Sequence, residues 1–370
     1  MRLLLKIIKA LIRPHKIPFS PDGVKRILVM DFAYLGDMVM TSPVYRALKE
    51  RFPGASVEAL VFPFSKEVLK TNPYVDEIHI HPAGAYRFDL KMISQLRKRK
   101  FDLGIQVNTS LRNNFILWKI HPRYRLGYDY RDRGCFHNLR VPLATRTARM
   151  KYRVDEELDL LEQAFGWKIT AREMIFRVGE DAKRRVQETL KQDGIIGNDV
   201  VVGIHSNSRQ TQNLRRWDQQ KFAELSDRII REYHAKIIFT GSQADTKYID
   251  GIVDHIHGKD RVLRGLQYTV EELGALFQRM NLFITINTGP MHIAIAQKTP
   301  TVALIGGTPA HVVFPKNNRH FQYIMDKALE TWDPEPVNYS YVPKMQEITV
   351  DAVWQKVQLV MKDRPGFQNQ

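Results

Sequence analysis

Two short stretches of this sequence combine residue types that could carry out group transfer. The first, Ala33-Tyr34-Leu35-Gly36-Asp37, precedes a segment containing Thr41-Ser42-Pro43. Gly36 permits a tight backbone, and Asp37 would stand where a carboxylate could take a proton from an attacking hydroxyl. Another reading stands beside this one, because Asp immediately before a helix is a favoured N-cap. The second stretch is Asn287-Thr288-Gly289-Pro290-Met291-His292. Gly289 allows close approach of a ligand, Pro290 suits an opening helical turn, and the N–H groups of Met291, His292 and Ile293 would attract a pyrophosphate. His292 alone could equally be an ordinary buried polar residue.

Both stretches follow strand-like runs, and the chain alternates such runs with amphipathic ones. Residues 26–32, 56–62, 76–80 and 101–107 read as strands and 38–52 as a helix, so βαβ units and a parallel sheet are expected. The pattern restarts at Val200 with strands at VVGIH, AKIIFTG, LFITI and TVALI, separated by helices at 219–233 and 245–257 and a short helix from Pro290. Helices at 155–167 and 180–192 leave 166–179 as the linker. The 370 residues then divide into an N-terminal helix (1–18), two doubly wound α/β domains (19–175 and 176–345) and a C-terminal segment (346–370). Two such sheets facing each other would place their strand carboxyl ends around one cleft. No GxxxxGK[ST] loop and no GxGxxG after a strand is found, which weakens ATPase and dinucleotide dehydrogenase readings. An Asp-x-Asp pair, which could hold a sugar nucleotide through a metal, is also missing.

Composition narrows the classes. With 44% hydrophobic and 26% charged residues, the chain reads as neither disordered nor polytopic. A single cysteine, Cys135, excludes an intramolecular disulfide framework and a multi-thiolate zinc site, and it fits a reducing compartment. Lys and Arg number 56 against 40 Asp and Glu, so the expected partner is polyanionic: nucleic acid, an anionic membrane or a phosphorylated substrate. Eleven Lys or Arg and only two acids lie in 112–153, and Arg97-Lys98-Arg99-Lys100 sits at an expected helix end. No nucleic-acid module accompanies the charge, which argues against a nucleic-acid partner. In 1–16, Arg2, Lys6, Lys9 and Arg13 fall on one helical stripe opposite Leu3, Leu4, Ile7, Ile8, Leu11 and Ile12. That pattern suits a membrane-surface helix or one packed on protein.

Taken together, LGDMVMTSPVYRALKERFP (35–53), GSQAD (241–245) and INTGPMHIAIAQKTPTVALIGGT (286–308) resemble the family-9 glycosyltransferases in content and order. The chain is similar to the ADP-heptose:lipopolysaccharide heptosyltransferases, most of all the heptosyltransferase III type. The resemblance implies a GT-B fold with the acceptor on the first domain and the nucleotide sugar on the second, and a last helix (near 350–361) that crosses back to the first. It implies Asp37 as general base and contacts to the diphosphate from Thr288, Gly289 and His292. Arg215, ahead of Trp217 where relatives carry Lys, would neutralise the leaving phosphate. Asp245 would lie near the ribose, and Ser206 and Ser208 would form a hydroxyl-bearing phosphate loop. Relatives carry Asp where this chain has Asn287, which keeps an acceptor and adds donors but loses the charge on the donor sugar's side.

The function expected is inverting, metal-independent transfer of a heptose from ADP-heptose to the phosphorylated lipopolysaccharide core, with no cofactor. Gly36, Arg112, Arg123 and Arg125 would line the acceptor side, and the enzyme would sit in the cytoplasm, peripheral on the inner membrane. A different nucleotide sugar or acceptor, or a binding-only pseudoenzyme, are the alternatives at this stage.

Overall fold

The computed structural model describes residues 17–82, 89–143, 151–207, 216–329 and 345–362. The N-terminal helix expected at 1–16, Ser208, Arg215, Arg146 and Arg149 lie outside the described residues. The chain forms two compact units, Met1–Ile175 and Phe176–Gln370.

The first unit is one sheet of six parallel strands: β1 (Arg26–Asp31), β2 (Ser56–Val61), β3 (Glu77–Ile80), β4 (Leu103–Gln106), β5 (Tyr124–Tyr130) and β6 (Leu139–Leu143). Their order is β3-β2-β1-β4-β5-β6, with every neighbouring pair parallel. Ile27, Leu28, Val29 and Met30 of β1 are all fully buried, as a central strand covered on both faces requires. Helices α1 (Leu35–Arg51), α2 (Leu90–Lys98), α3 (Leu111–Ile120) and α4 (Arg153–Phe165) supply the covering layers. Asp89 and Ser110 cap α2 and α3 by accepting from Met92 and Asn113 N–H.

Helix α1 starts earlier than the sequence pattern indicates, which sets Pro43 deeper inside it. A proline there removes the N–H that would bond the Val39 carbonyl. The Ser42 hydroxyl donates to that carbonyl at 2.6 Å, and its oxygen accepts the Ile175 N–H at 2.7 Å. The motif Thr41-Ser42-Pro43 thus carries its own repair, which also ties down the end of the unit.

The second unit repeats the plan. Strands β7 (Val201–His205), β8 (Lys236–Thr240), β9 (Val262–Gly265), β10 (Leu282–Ile286), β11 (Thr301–Ile305) and β12 (Phe321–Met325) pair in the order β12-β11-β10-β7-β8-β9, again all parallel. The longer helices are α5 (Glu180–Gln192), α6 (Gln219–Tyr233), α7 (Thr246–Val253), α8 (Val270–Arg279), α9 (Gly289–Ala296) and α10 (Val350–Met361). Asp218 caps α6, and Thr269 with Glu272 forms a capping box on α8. Helix α10 buries Val353, Val357, Val360 and Met361 in this unit's own core, where Trp217 donates its indole N–H to Ile348 at 2.8 Å.

Strands β5, β6, β9 and β12 and helices α3 and α8 were not part of the sequence expectation. β5 reads YRLGYDY, with charges inside it, and β6 carries Pro142, which an edge strand tolerates because its outer side needs no donor.

Candidate active site

Each sheet reverses its strand order once, between β1 and β4 in the first unit and between β7 and β10 in the second. In open parallel sheets the crevice at the carboxyl ends of such strands is the ligand site. Asp31 ends β1 and Asn108 follows β4; Ser206 follows β7 and Asn287 follows β10. The sequence motifs therefore fall on the two switch points.

In the first unit, Asp37 is a half-buried residue of the first turn of α1. Tyr34, in extended conformation, is the N-cap, so the capping reading of Asp37 is replaced: its carboxylate stands in the positive field of the helix start without closing it. Gly36 is an ordinary, buried helical residue beside it, and no left-handed turn is made there. The Thr41 hydroxyl, one turn on, lies 2.7 Å from the Asp31 carboxylate and 3.1 Å from the Asp37 carbonyl. From α4, Arg153 donates to Glu157 at 2.6 Å. Burial pushes the Asp31 carboxyl up to about 6, against the pull of Arg153 and Thr41, and pushes Glu157 up to about 8. Burial opposes the charge of Arg153, but Glu157, Asp37 and Asp31 together hold it firmly protonated.

The basic residues separate by sheet edge. Arg112 opens α3 after β4, on Asp37's edge, close enough to His81 that burial and then the Arg112 charge hold that imidazole below its ordinary pKa. Arg123 precedes β5 and Arg125 lies in its first residues, which in a parallel sheet is the opposite edge. Arg125 is also buried: its Nε donates to the Phe136 carbonyl at 3.0 Å and a terminal nitrogen to Pro122 at 2.8 Å. It braces a turn and is closed to an acceptor. Arg123 is exposed and stacks on Tyr124 at 5.0 Å. Arg153, counted in the basic run, is largely covered and paired with Glu157 on its own helix.

In the second unit, α9 begins at Gly289 with Thr288 as N-cap and Pro290 in its opening turn. The Thr288 hydroxyl approaches the Ile286 carbonyl at 3.3 Å and Thr285 at 3.4 Å. Asn287, Thr288 and Gly289 are partly exposed, whereas His292 is buried. Met291 departs from expectation: its side chain is fully buried and its N–H donates to the Thr288 carbonyl at 3.1 Å. Asp245 also departs. Its Oδ2 accepts from the Ser242 N–H and hydroxyl, each at 2.7 Å, and its Oδ1 accepts from Asn207 at 2.7 Å. Burial alone would raise this carboxyl, but these bonds and the nearby His205 keep it below the usual range. Asp245 is a brace between two loops. The brace continues outward, since Arg216 Nε donates to Asn207 at 2.9 Å and its guanidinium lies 4.6 Å from the Tyr248 ring centre. Ser206, fully buried, has no hydrogen-bond partner for its hydroxyl among the described residues.

Sequence reasoning missed Asp31, Arg153, Asn207 and Arg216. Asp31 was legible as an acid closing an apolar strand, and Arg216 as the second of two arginines before Trp217; nothing local marks Arg153 or Asn207. Among the described residues, Glu58, Glu77 and His79 offer ligand atoms close enough for a metal ion, but Arg99 bridges both carboxylates, with Nε 2.9 Å from Glu58.

Comparison with known proteins agrees with this construction. Residues 90–330 match the family model for glycosyltransferase family 9 (heptosyltransferase). The chain is 27% identical over 284 residues to lipopolysaccharide heptosyltransferase 3 of Escherichia coli K12, covering 74% of this chain and 80% of the relative. Among solved structures, it resembles the glycosyltransferase family 9 protein of Veillonella parvula with a TM-score of 0.76, at 21% identity over 93% of this chain and 100% of that one. It resembles the E. coli ADP-heptose lipopolysaccharide heptosyltransferase II with a TM-score of 0.72, at 19% identity over 91% and 99%. Two six-stranded parallel sheets of identical order, each with its motif at the switch point, give the GT-B class of α/β fold. The chain is an enzyme of glycosyltransferase family 9, the heptosyltransferase family.

Proposed function

We propose that this enzyme transfers a heptose, or a closely related sugar, from ADP-heptose to a hydroxyl of the phosphorylated lipopolysaccharide inner core, with inversion and without a metal. The carrying observation is Asp37: a half-buried carboxylate in the opening turn of α1, at the switch point of its sheet. In that position it would accept the proton of the attacking hydroxyl as the oxygen closes on the anomeric carbon. A single in-line displacement of this kind inverts the anomeric centre.

The departing diphosphate needs positive charge where its own develops. The start of α9 at Thr288 and Gly289 and the side chain of Arg215 would supply it, with the hydroxyls of Ser206 and Ser208 as neutral hydrogen-bond donors. Asn287 would take hydroxyls of the donor sugar. The names of the relatives support lipopolysaccharide as the acceptor and ADP-heptose as the donor. Arg112 would meet acceptor phosphates, while the basic amphipathic segment 1–16 would hold the enzyme at the inner leaflet. Among the described residues no helix is long and apolar enough to cross a membrane.

The test is to incubate the purified protein with ADP-heptose and lipopolysaccharide from a strain lacking it. A mass gain of one heptose, release of ADP, an inverted anomeric centre and turnover in chelator are expected. Binding of donor with no transfer to any core acceptor would end the proposal.

A further inference from the structure

We infer that Tyr34 and Phe64 form an aromatic platform on which a sugar ring of the acceptor stacks while its hydroxyl meets Asp37. The inference rests on Asp37 being the base, and it adds the groups that position the acceptor. Among the described residues, these two are the aromatic side chains left exposed, Tyr34 at 61% and Phe64 at 39%. Single exposed apolar residues are ordinary, but these two adjoin: their ring centres lie 5.4 Å apart and their planes within 15° of each other. The two rings make one offset-stacked surface.

This surface is supported from below. Phe64 contacts Phe62 at 5.5 Å between ring centres, and Phe62 stacks on Phe32 at 4.9 Å, where the ends of β1 and β2 lie side by side. Buried His81, just after β3, packs on Phe32 at 4.8 Å. The buried Ser65 hydroxyl donates to the Ala33 carbonyl at 2.6 Å, joining the residue after Phe64 to the residue before Tyr34. That bond ties the backbone under one ring to the backbone under the other, so the platform is formed before a ligand arrives.

Its place selects its occupant. Tyr34 is the N-cap of α1, and its carbonyl accepts the Met38 N–H at 2.9 Å. Asp37 belongs to the turn that this bond closes, so the two backbones are roughly 5 Å apart. A hydroxyl delivered to the Asp37 carboxylate brings its own sugar ring over that turn, beside the exposed Tyr34 ring. A pyranose offers a face of slightly positive C–H groups to the negative face of an aromatic ring and keeps its hydroxyls free at the rim. Arg112 opens α3 on the same edge of the sheet, and a charge there suits a phosphorylated sugar better than an acyl chain.

The experiment uses the full-length enzyme and the transfer assay above, with intact lipopolysaccharide and with the same core freed of its acyl chains. Y34A is expected to raise the acceptor KM by about 10-fold on both forms, with donor KM and kcat within about 2-fold of wild type. F64A should raise the acceptor KM in the same direction. Y34F and Y34W, which keep a ring face, should hold it within about 3-fold of wild type. Should Y34A fold poorly, Y34L takes its place, keeping apolar bulk without a ring. An unchanged acceptor KM in the variant without a ring would overturn the inference. A rise confined to the acylated acceptor would overturn it too, by assigning the rings to the membrane surface, as would a rise in donor KM alone, by assigning them to the nucleotide. Wild-type kcat in D37N would instead overturn the assignment of the base, and a wild-type protein inactive on both acceptors would overturn the proposed function.

Discussion

Asn207 donates its side-chain amide to Asp245 at 2.7 Å and so joins the loop after β7 to the turn after β8. The same carboxylate accepts two bonds from Ser242, and Arg216 holds the far side of Asn207. If, as proposed, the loop after β7 takes the diphosphate, this chain of bonds holds it in place before the ligand arrives.

D245N replaces a charged acceptor of three hydrogen bonds with a neutral group that cannot accept at both ends. Stability is expected to fall by about 1–3 kcal/mol, with a rise in donor KM. Thermal unfolding with and without ADP checks it: a residue that only touched ribose would weaken nucleotide binding and leave the unliganded Tm in place.

D37N keeps the shape of the first turn of α1 and removes the base. Its kcat should drop by about 10²- to 10⁴-fold, with donor KM nearly unchanged and an unaltered circular dichroism spectrum. Retained turnover at the wild-type rate would count against proton transfer to Asp37.

The arginines predict three different outcomes. R112A should raise the acceptor KM, since Arg112 opens α3 on Asp37's edge of the sheet. R123A should change neither KM nor kcat, because Arg123 lies at the other end of β5. R125A should destabilise the fold by about 1–3 kcal/mol, leaving the Phe136 and Pro122 carbonyls without their donor. Acceptor kinetics and denaturant titration on the three proteins separate these.

His137 supplies a pH dependence. Its imidazole is fully buried among Arg125 and Arg140, and burial followed by those charges lowers its pKa to about 3. The ring also fills the space a side chain at Gly127 would need, since a Cβ there would clash with Nε2. In the unfolded chain the group titrates near 6.5, so between those values the unfolded state binds the extra proton. Stability due to this residue is then present above about pH 6.5 and lost on acidification, by about 1.4 kcal/mol per pH unit. H137F should flatten the acid limb of Tm against pH; an unchanged limb would assign acid sensitivity to other groups.

Much of this enzyme was readable without coordinates. Apolar runs such as Ile27–Met30 mark central strands because only a strand covered on both faces is apolar throughout, and Asp37 and Asn287 follow such runs by chain order alone. Those are local properties, carried by residue type over a few positions. Tertiary structure decided which of the charged residues face solvent. Arg125 and Arg153 look like members of a basic surface, yet Arg125 is buried and Arg153 only 19% exposed, and the groups that engage them are the Pro122 and Phe136 carbonyls and the Glu157 carboxyl. Asp245 was read as a ligand contact for the same reason. The burial that makes it a brace, and the Asn207 amide that occupies it, depend on two strands lying side by side, a relation that pairing of the sheet creates and residue order does not contain.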